Sequence, residues 1–243
     1  MNQVNILVAC EESQAVTIEL RKHGINAFSC DIIECSGGHP EWHIMQDVLP
    51  LLNGRCSFKT MDGVEHCIPG KWDMLIAFPP CTFLTNTGNR WFDVLRYGKA
   101  AQTRWNERCK AIVFFLRFIY ADCDKIIVEN PIGCMSSLFR KPDQIVHPYY
   151  FAEKEDDENC ERKATCLWMK GVPPLLYEIK FYPRVIAYKN GKGTDSPWHI
   201  KTMSLPPNER ARERSKTYPG IAKAIAAQAA GMCEEVTNET KCD

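Results

Sequence analysis

No C-x-x-C pair occurs among the thirteen cysteines, 30 Lys and Arg are matched by 30 Asp and Glu, and no apolar run approaches membrane-spanning length. Each absence removes a class of function. Without a tight cysteine pair, structural zinc and dithiol redox sites lose their usual signature, and an odd count with no export signal argues against a disulfide framework. The best metal candidate, Cys30, Cys35, His39 and His43, has zinc-type ligands but a loose first spacing, so no metal is expected. Balanced charge gives no net field to attract nucleic acid, and any such contact must come from a local basic groove. Val4 to Val8 is too short for a secretory apolar region and no membrane span is expected, so the reading is a cytoplasmic protein. Neither internal repeats nor low-complexity segments occur, and nothing sets an oligomeric state.

What is present is an alternation of apolar runs and helical patterns. Val4 to Cys10 reads as a buried strand, Ser13 to His23 as a helix stopped by Gly24, and Ile25 to Cys30 as a second strand. That order opens a doubly wound, mostly parallel α/β sheet with right-handed crossovers. His43 to Asp47 is a third strand, and Cys56 to Ile68 a hairpin turned at Asp62-Gly63 within an insertion at about 54–70. Trp72 to Phe78 is the fourth strand, and Asn86 to Arg90, polar and glycine-bearing, reads as an active-site loop. Lys99 to Tyr120 is a helix with Ile112, Phe115, Leu116 and Ile119 on one stripe, and Lys125 to Val128 is the fifth strand, ending in Glu129-Asn130-Pro131.

Further on, Ile145-Val146 and Ala164 to Met169 read as strands, and Glu153 to Glu158 as a solvated loop. An irregular segment at about 172–210, rich in Pro, aromatics and Lys, is the candidate for partner contact, with a loop tip at 188–193. Tyr218 to Met232 is a closing helix that starts at Pro219 and ends near Gly231, with a frayed tail after Glu234. The whole reads as a single domain over 1–243.

In open parallel sheets the ligand crevice lies beyond the carboxyl ends of the strands. Cys10-Glu11, Asp31, Asp47, Cys81 and Glu129 all map there. A cysteine on the stiff turn Phe78-Pro79-Pro80-Cys81-Thr82 suits a nucleophile, and Glu129 puts a carboxylate at the same end of a neighbouring strand. Taken singly, Cys81 suits core packing better than catalysis, and only the set of strand ends in register shifts that balance; Asp31 and Asp47 equally suit helix caps or turns.

The order of these motifs resembles the DNA cytosine-C5 methyltransferases. Pro80-Cys81 matches that family's Pro-Cys signature, Glu129-Asn130 its Glu-Asn pair, and Arg214 to Ala222 looks like a distant form of its last motif. Pro-Pro-Cys-Thr, Glu-Asn-Pro and Thr-Cys-Leu-Trp also look like segments of small phage and prophage proteins carried under that name. The resemblance covers 4–131 and, more weakly, 162–230. It implies a Rossmann-like S-adenosylmethionine-dependent methyltransferase fold with an antiparallel C-terminal strand, and DNA as partner.

The resemblance also implies roles. Cys81 would add to C6 of cytosine and Glu129 would hold a proton at N3, with Arg162 or Lys163 as the nearest match to an arginine that helps hold the base. S-adenosyl-L-methionine would lie against Cys10, Glu11, Asp31, Asp47 and Pro79, with Asp31 on the ribose and Asp47 on the adenine amine. The target base would meet Thr82, Asn86, Gly88, Asn130 and Pro131, with Asn86 to Trp91 as a loop closing over it and Gly88 as hinge; the same segment equally suits an ordinary surface turn anchored by Trp91. Where the family carries Phe-x-Gly-x-Gly, this chain has Val8-Ala9-Cys10-Glu11-Glu12-Ser13, without a glycine. Two alternatives follow: C5 modification of a free pyrimidine nucleotide or transfer of another group, because little chain remains for a target-recognition domain, and an inactive fold that binds nucleic acid or protein.

Overall fold

The computed structural model describes residues 3–155, 157–188, 191 and 193–239. Two compact units divide the chain: Met1–Ile145 with Thr165–Pro174, and Val146–Ala164 with Leu175–Asp243. The first holds β1 (Asn5–Ala9), α1 (Ala15–Lys22), β2 (Asn26–Asp31), β3 (His43–Met45), β4 (Cys56–Lys59), β5 (Glu65–Ile68), β6 (Met74–Ala77), α2 (Val94–Ile119), β7 (Ile126–Pro131), α3 (Met135–Leu138) and β9 (Thr165–Lys170), with β8 (Gln144–Val146) reaching the boundary.

Seven strands form one sheet in the order β3-β2-β1-β6-β7-β9-β8. β1 runs parallel to β2 and β6, β2 to β3, and β6 to β7, whereas β7 and β9 are antiparallel. This is a doubly wound, Rossmann-like α/β fold, mostly parallel with a late antiparallel pairing. Strand order reverses between β1 and β6, which places the ligand crevice at their carboxyl ends.

Central strands buried on both faces need apolar residues at every position, and Ile6 to Ala9, Met74 to Ala77 and Ile126 to Val128 supply them. Alternation then sorts the faces. Leu7, Ala9, Leu75, Ala77, Ile126 and Val128 share one core cluster with Phe115 and Phe118 of α2, and Ile112, Leu116 and Ile119 pack against it. Ile6, Val8, Ile76 and Ile127 are equally buried on the other face, and Val16 and Leu20 of α1 are buried outside the first cluster. The β4–β5 hairpin pairs as expected, and Phe58 meets Phe28 of β2 edge-on at 5.1 Å.

Several strands are a residue or two shorter than the sequence reading, and four other boundaries differ from it. Asn86–Phe92 is a 3₁₀ helix rather than a loop, because Thr85 accepts a bond from the Thr87 N–H at its start and Phe92 is buried at its end. α2 carries an extra N-terminal turn from Val94, where Asp93 accepts from the Leu95 and Arg96 amides, and Gly98 at φ 51° separates it from the expected helix that starts at Lys99. β7 does not end at Val128: pairing with β9 carries it through Glu129, Asn130 and Pro131. The closing helix continues through Gly231 to Glu239, also past the expected fraying at Glu234.

The second unit carries a two-stranded ribbon, β10 (Ile186–Ala187) and β11 (Thr194–Asp195), then α4 (Pro197–Met203), α5 (Pro207–Ser215) and α6 (Pro219–Glu239). Pro219 opens α6 as expected. Lys189, Asn190 and Lys192 of the expected loop tip lie outside the described residues. No helix of the described residues is long and apolar enough to cross a membrane.

Candidate active site

The turn after β6 is built by its neighbours. Beyond the Ala77–Val128 pair, the Phe78 N–H donates to Ala9 O at 3.0 Å, Pro79 is buried and Pro80 exposed. The Cys81 carbonyl accepts from the Leu84 and Thr85 amides at 2.9 and 3.0 Å, curling the chain so that Thr82 and Asn86 stay exposed. Asn130 Nδ2 donates to Pro79 O at 2.8 Å and is 1% exposed, while its Oδ1 is buried without a partner. The strand end carrying Glu129 and the turn carrying Cys81 are therefore tied directly. Glu129 alternates with Val128 and Asn130 and shares a sheet face with Ile127. Burial, and next the Glu129 charge, push the Cys166 thiol up to about 11.

Gly133, which the sequence reading passed over, closes the same assembly. It bridges Thr85, and the next amide, Cys134 N–H, donates to Leu84 O at 2.8 Å. A Cβ on Gly133 would fall 2.1 Å from Leu84 O, so only glycine permits this approach. Arg108 of α2 adds a third hold: its Nε donates to Phe83 O at 2.7 Å, its Nη2 to Asn89 Oδ1 at 2.8 Å, and it is 5% exposed.

The loop after β1 is built differently. Cys10 and Gln14 both adopt φ 58°, so left-handed turns that glycine would favour are made by larger residues. Burial first, then the charges of Asp31, Cys30 and Asp47, push the Cys10 thiol well above its ordinary range. The charges of Asp31 and Asp47 thus act together with burial against the Cys10 thiolate. Asp31 closes β2, its Oδ1 accepting from the Ile32 and Ile33 amides at 2.7 and 3.4 Å, and burial raises its pKa. Asp47 is exposed and accepts from the Leu49 N–H at 3.0 Å.

Glu11 corrects the sequence reading, which placed it on the cofactor. Its side chain turns inward: Oε1 accepts from the Val16 N–H at 2.6 Å, and Oε2 from the Thr17 N–H at 3.3 Å and hydroxyl at 2.7 Å. It closes the N-terminus of α1, where the cap residue Gln14 makes no side-chain cap bond. Burial pushes its pKa up to about 7, against these three bonds. Gln14 instead brackets the next loop, donating to His39 O at 2.9 Å and accepting from the His39 N–H at 3.1 Å. His43, one of the weighed zinc ligands, has both ring nitrogens engaged, with Ser29 Oγ at 2.8 Å and Ile33 O at 2.9 Å.

Arg162 and Lys163 belong to the second unit. Arg162 donates to Thr194 Oγ1 at 3.3 Å, and Lys163 donates to Lys216 O at 3.0 Å with its ammonium over the Trp198 and Tyr218 rings. Gly88 lies inside the 3₁₀ helix, where an added Cβ would meet Arg104 Nη2 at 2.8 Å.

No family model and no curated protein matches the chain. A solved methyltransferase of Entamoeba histolytica, EhMeth, is similar to it at 14% identity and a TM-score of 0.40, over 76% of this chain and 59% of that one. The chain thus matches less than two thirds of that protein's length, and the functional reading rests on the geometry described above.

Proposed function

We propose that the protein transfers a methyl group from S-adenosyl-L-methionine to C5 of cytosine in DNA, through a covalent adduct between Cys81 and C6. The observation that carries this reading is the 2.8 Å bond from Asn130 to Pro79 O, which locks a Glu-Asn strand end against a Pro-Pro-Cys turn at the reversal of strand order.

The chemistry requires both groups. C5 of cytosine is too weak a nucleophile until a thiolate adds at C6. Addition of the Cys81 sulfur breaks the C5–C6 double bond and leaves an enamine, while Glu129 holds a proton at N3 and offsets the charge building on the ring. Once C5 has gained its substituent, loss of the C5 proton to a base and departure of the Cys81 sulfur restore the ring. Asn130 would position both partners through its bond to the turn.

The ends of β1, β2 and β3 fit the proposed cofactor. Asp31 is half-buried and would accept from ribose hydroxyls, Asp47 would accept from the adenine amine, and Ile32 and Ile33, 76% and 54% exposed, offer apolar contact beside them. The left-handed Cys10 turns the chain there without a glycine. S-adenosyl-L-methionine bound at this end would supply an electrophilic methyl group.

The test is to incubate the protein with S-adenosyl-L-methionine and DNA carrying 5-fluorocytosine, whose C5 cannot lose a proton, so the adduct persists. A denaturation-resistant complex that is lost in Cys81→Ala is expected. No complex across DNA of many sequences would sink the proposal.

A further inference from the structure

We propose that Arg104 and Arg108 form a phosphate site beside the Cys81 turn. They stand one helical turn apart on α2 and face the same segment, Thr82 to Phe92. Arg104 lies over the rings of Phe83 and Phe92 at 5.1 and 5.0 Å, and Arg108 over Phe92 at 3.5 Å. Neither guanidinium has an ion pair among the described residues. The acids closest in sequence are engaged elsewhere: Glu107 with Lys110 at 2.7 Å, and Asp93 with the start of α2.

Two like charges, one of them 5% exposed, are therefore held together without a counter-ion. Buried charge is ordinarily paired, because desolvation otherwise goes uncompensated. Arg108 is satisfied in part by Phe83 O and Asn89 Oδ1. Arg104 Nε is buried with no partner, an orphan donor next to a group of its own sign. An anion shared by the two would offset the repulsion between them, and guanidinium geometry favours the paired oxygens of a phosphate. Gly88 packs directly against this group, since a Cβ there would come within 2.8 Å of Arg104 Nη2.

This site rests on the nucleotide-type substrate proposed above, and it takes either a backbone phosphodiester or the phosphate of a pyrimidine monophosphate. The full-length protein is titrated with a fluorescent oligonucleotide across a salt series, then with cytidine monophosphate and with cytidine. In Arg104→Gln the slope of log affinity against log salt should shrink by about 1, the release of one counterion. Arg104→Lys should keep most of the slope. A slope change with the oligonucleotide alone assigns a backbone phosphate. Arg104-dependent preference for cytidine monophosphate over cytidine assigns a free nucleotide. An unchanged slope with no such preference overturns the site, even where methyl transfer is observed. Arg104-dependent phosphate binding without methyl transfer keeps the site and removes the methylation proposal.

Discussion

The loops after β1 and β6 emerge side by side where strand order reverses, yet they are held in opposite ways. The first is stapled from within: Glu11 caps the helix it precedes, Gln14 brackets His39, and Cys10 is packed against the core. The second is clamped from outside, by Asn130 and Gly133 of the β7 end and by Arg108 of α2. Its own polar side chains, Thr82 and Asn86, remain exposed. A loop that commits Glu11 and Gln14 to self-support has fewer side chains to offer a ligand. A turn positioned by its neighbours keeps its side chains for chemistry, the arrangement a reactive group requires.

The largest effect should come from the cysteines that follow the two strands. On the proposed mechanism Cys81→Ala is expected to reduce methyl transfer at least ~10³-fold, because it removes the thiolate that adds to C6, with the thermal midpoint almost unchanged. Cys10→Ala should leave transfer within a fewfold of wild type. Radiolabelled methyl incorporation into DNA measures both, and equal losses in the two variants would erase the functional contrast between the loops.

The internal staple should show in the pH dependence of stability. Glu11 has a folded pKa of about 7 against an ordinary 4.5, so between those values the folded state holds a proton that the unfolded chain has released. The stabilisation is fully present below pH 4.5 and is lost as pH rises through 7, by roughly 3 kcal/mol in all. Urea unfolding at closely spaced pH values should reveal that decline, and Glu11→Gln should flatten it whatever its stability at a single pH. A profile equally steep in the variant would place the titrating group elsewhere.

The external clamp should fail at Gly133. A methyl group 2.1 Å from Leu84 O forces the turn and the β7 end apart. Overpacking of this kind costs about 1–3 kcal/mol, lowering the thermal midpoint by roughly 2–12 °C. Transfer activity of Gly133→Ala should fall further than the loss of folded protein explains, because the variant moves the segment that orients Cys81.

Much of this contrast was legible in the residues, and the rest was not for physical reasons. Apolar runs long enough to be buried on both faces gave the parallel strands, and the positions just past them gave Cys81, Glu129, Asp31 and Asp47. Glu11 looked equally exposed by position, because sequence does not show which way a side chain turns at a helix start. Arg108 reads as surface charge on an amphipathic helix until the segment from Phe83 to Phe92 folds over it. Gly133 carries a constraint imposed by Leu84, distant in sequence, and its only local trace is a glycine soon after Glu-Asn-Pro. The extension of β7 through Asn130 depended on the antiparallel β9, a partner that local pattern does not reveal.

The smallest effect tests why the first loop does without glycine. Cys10 at φ 58° carries a left-handed penalty of roughly 1–2 kcal/mol for a residue with a Cβ, which Cys10→Gly would remove. Against that stand about 0.5–1 kcal/mol of extra backbone entropy lost by glycine on folding and the lost contact of a side chain packed on the core. The terms nearly cancel, so the variant should unfold within about 1 kcal/mol of wild type. Cofactor affinity should separate the two pressures that the stability measurement cannot. If backbone approach limits binding, Cys10→Gly tightens S-adenosyl-L-methionine binding in calorimetry. If the packed Cys10 side chain shapes the floor beneath Asp31 and Asp47, the same variant weakens it.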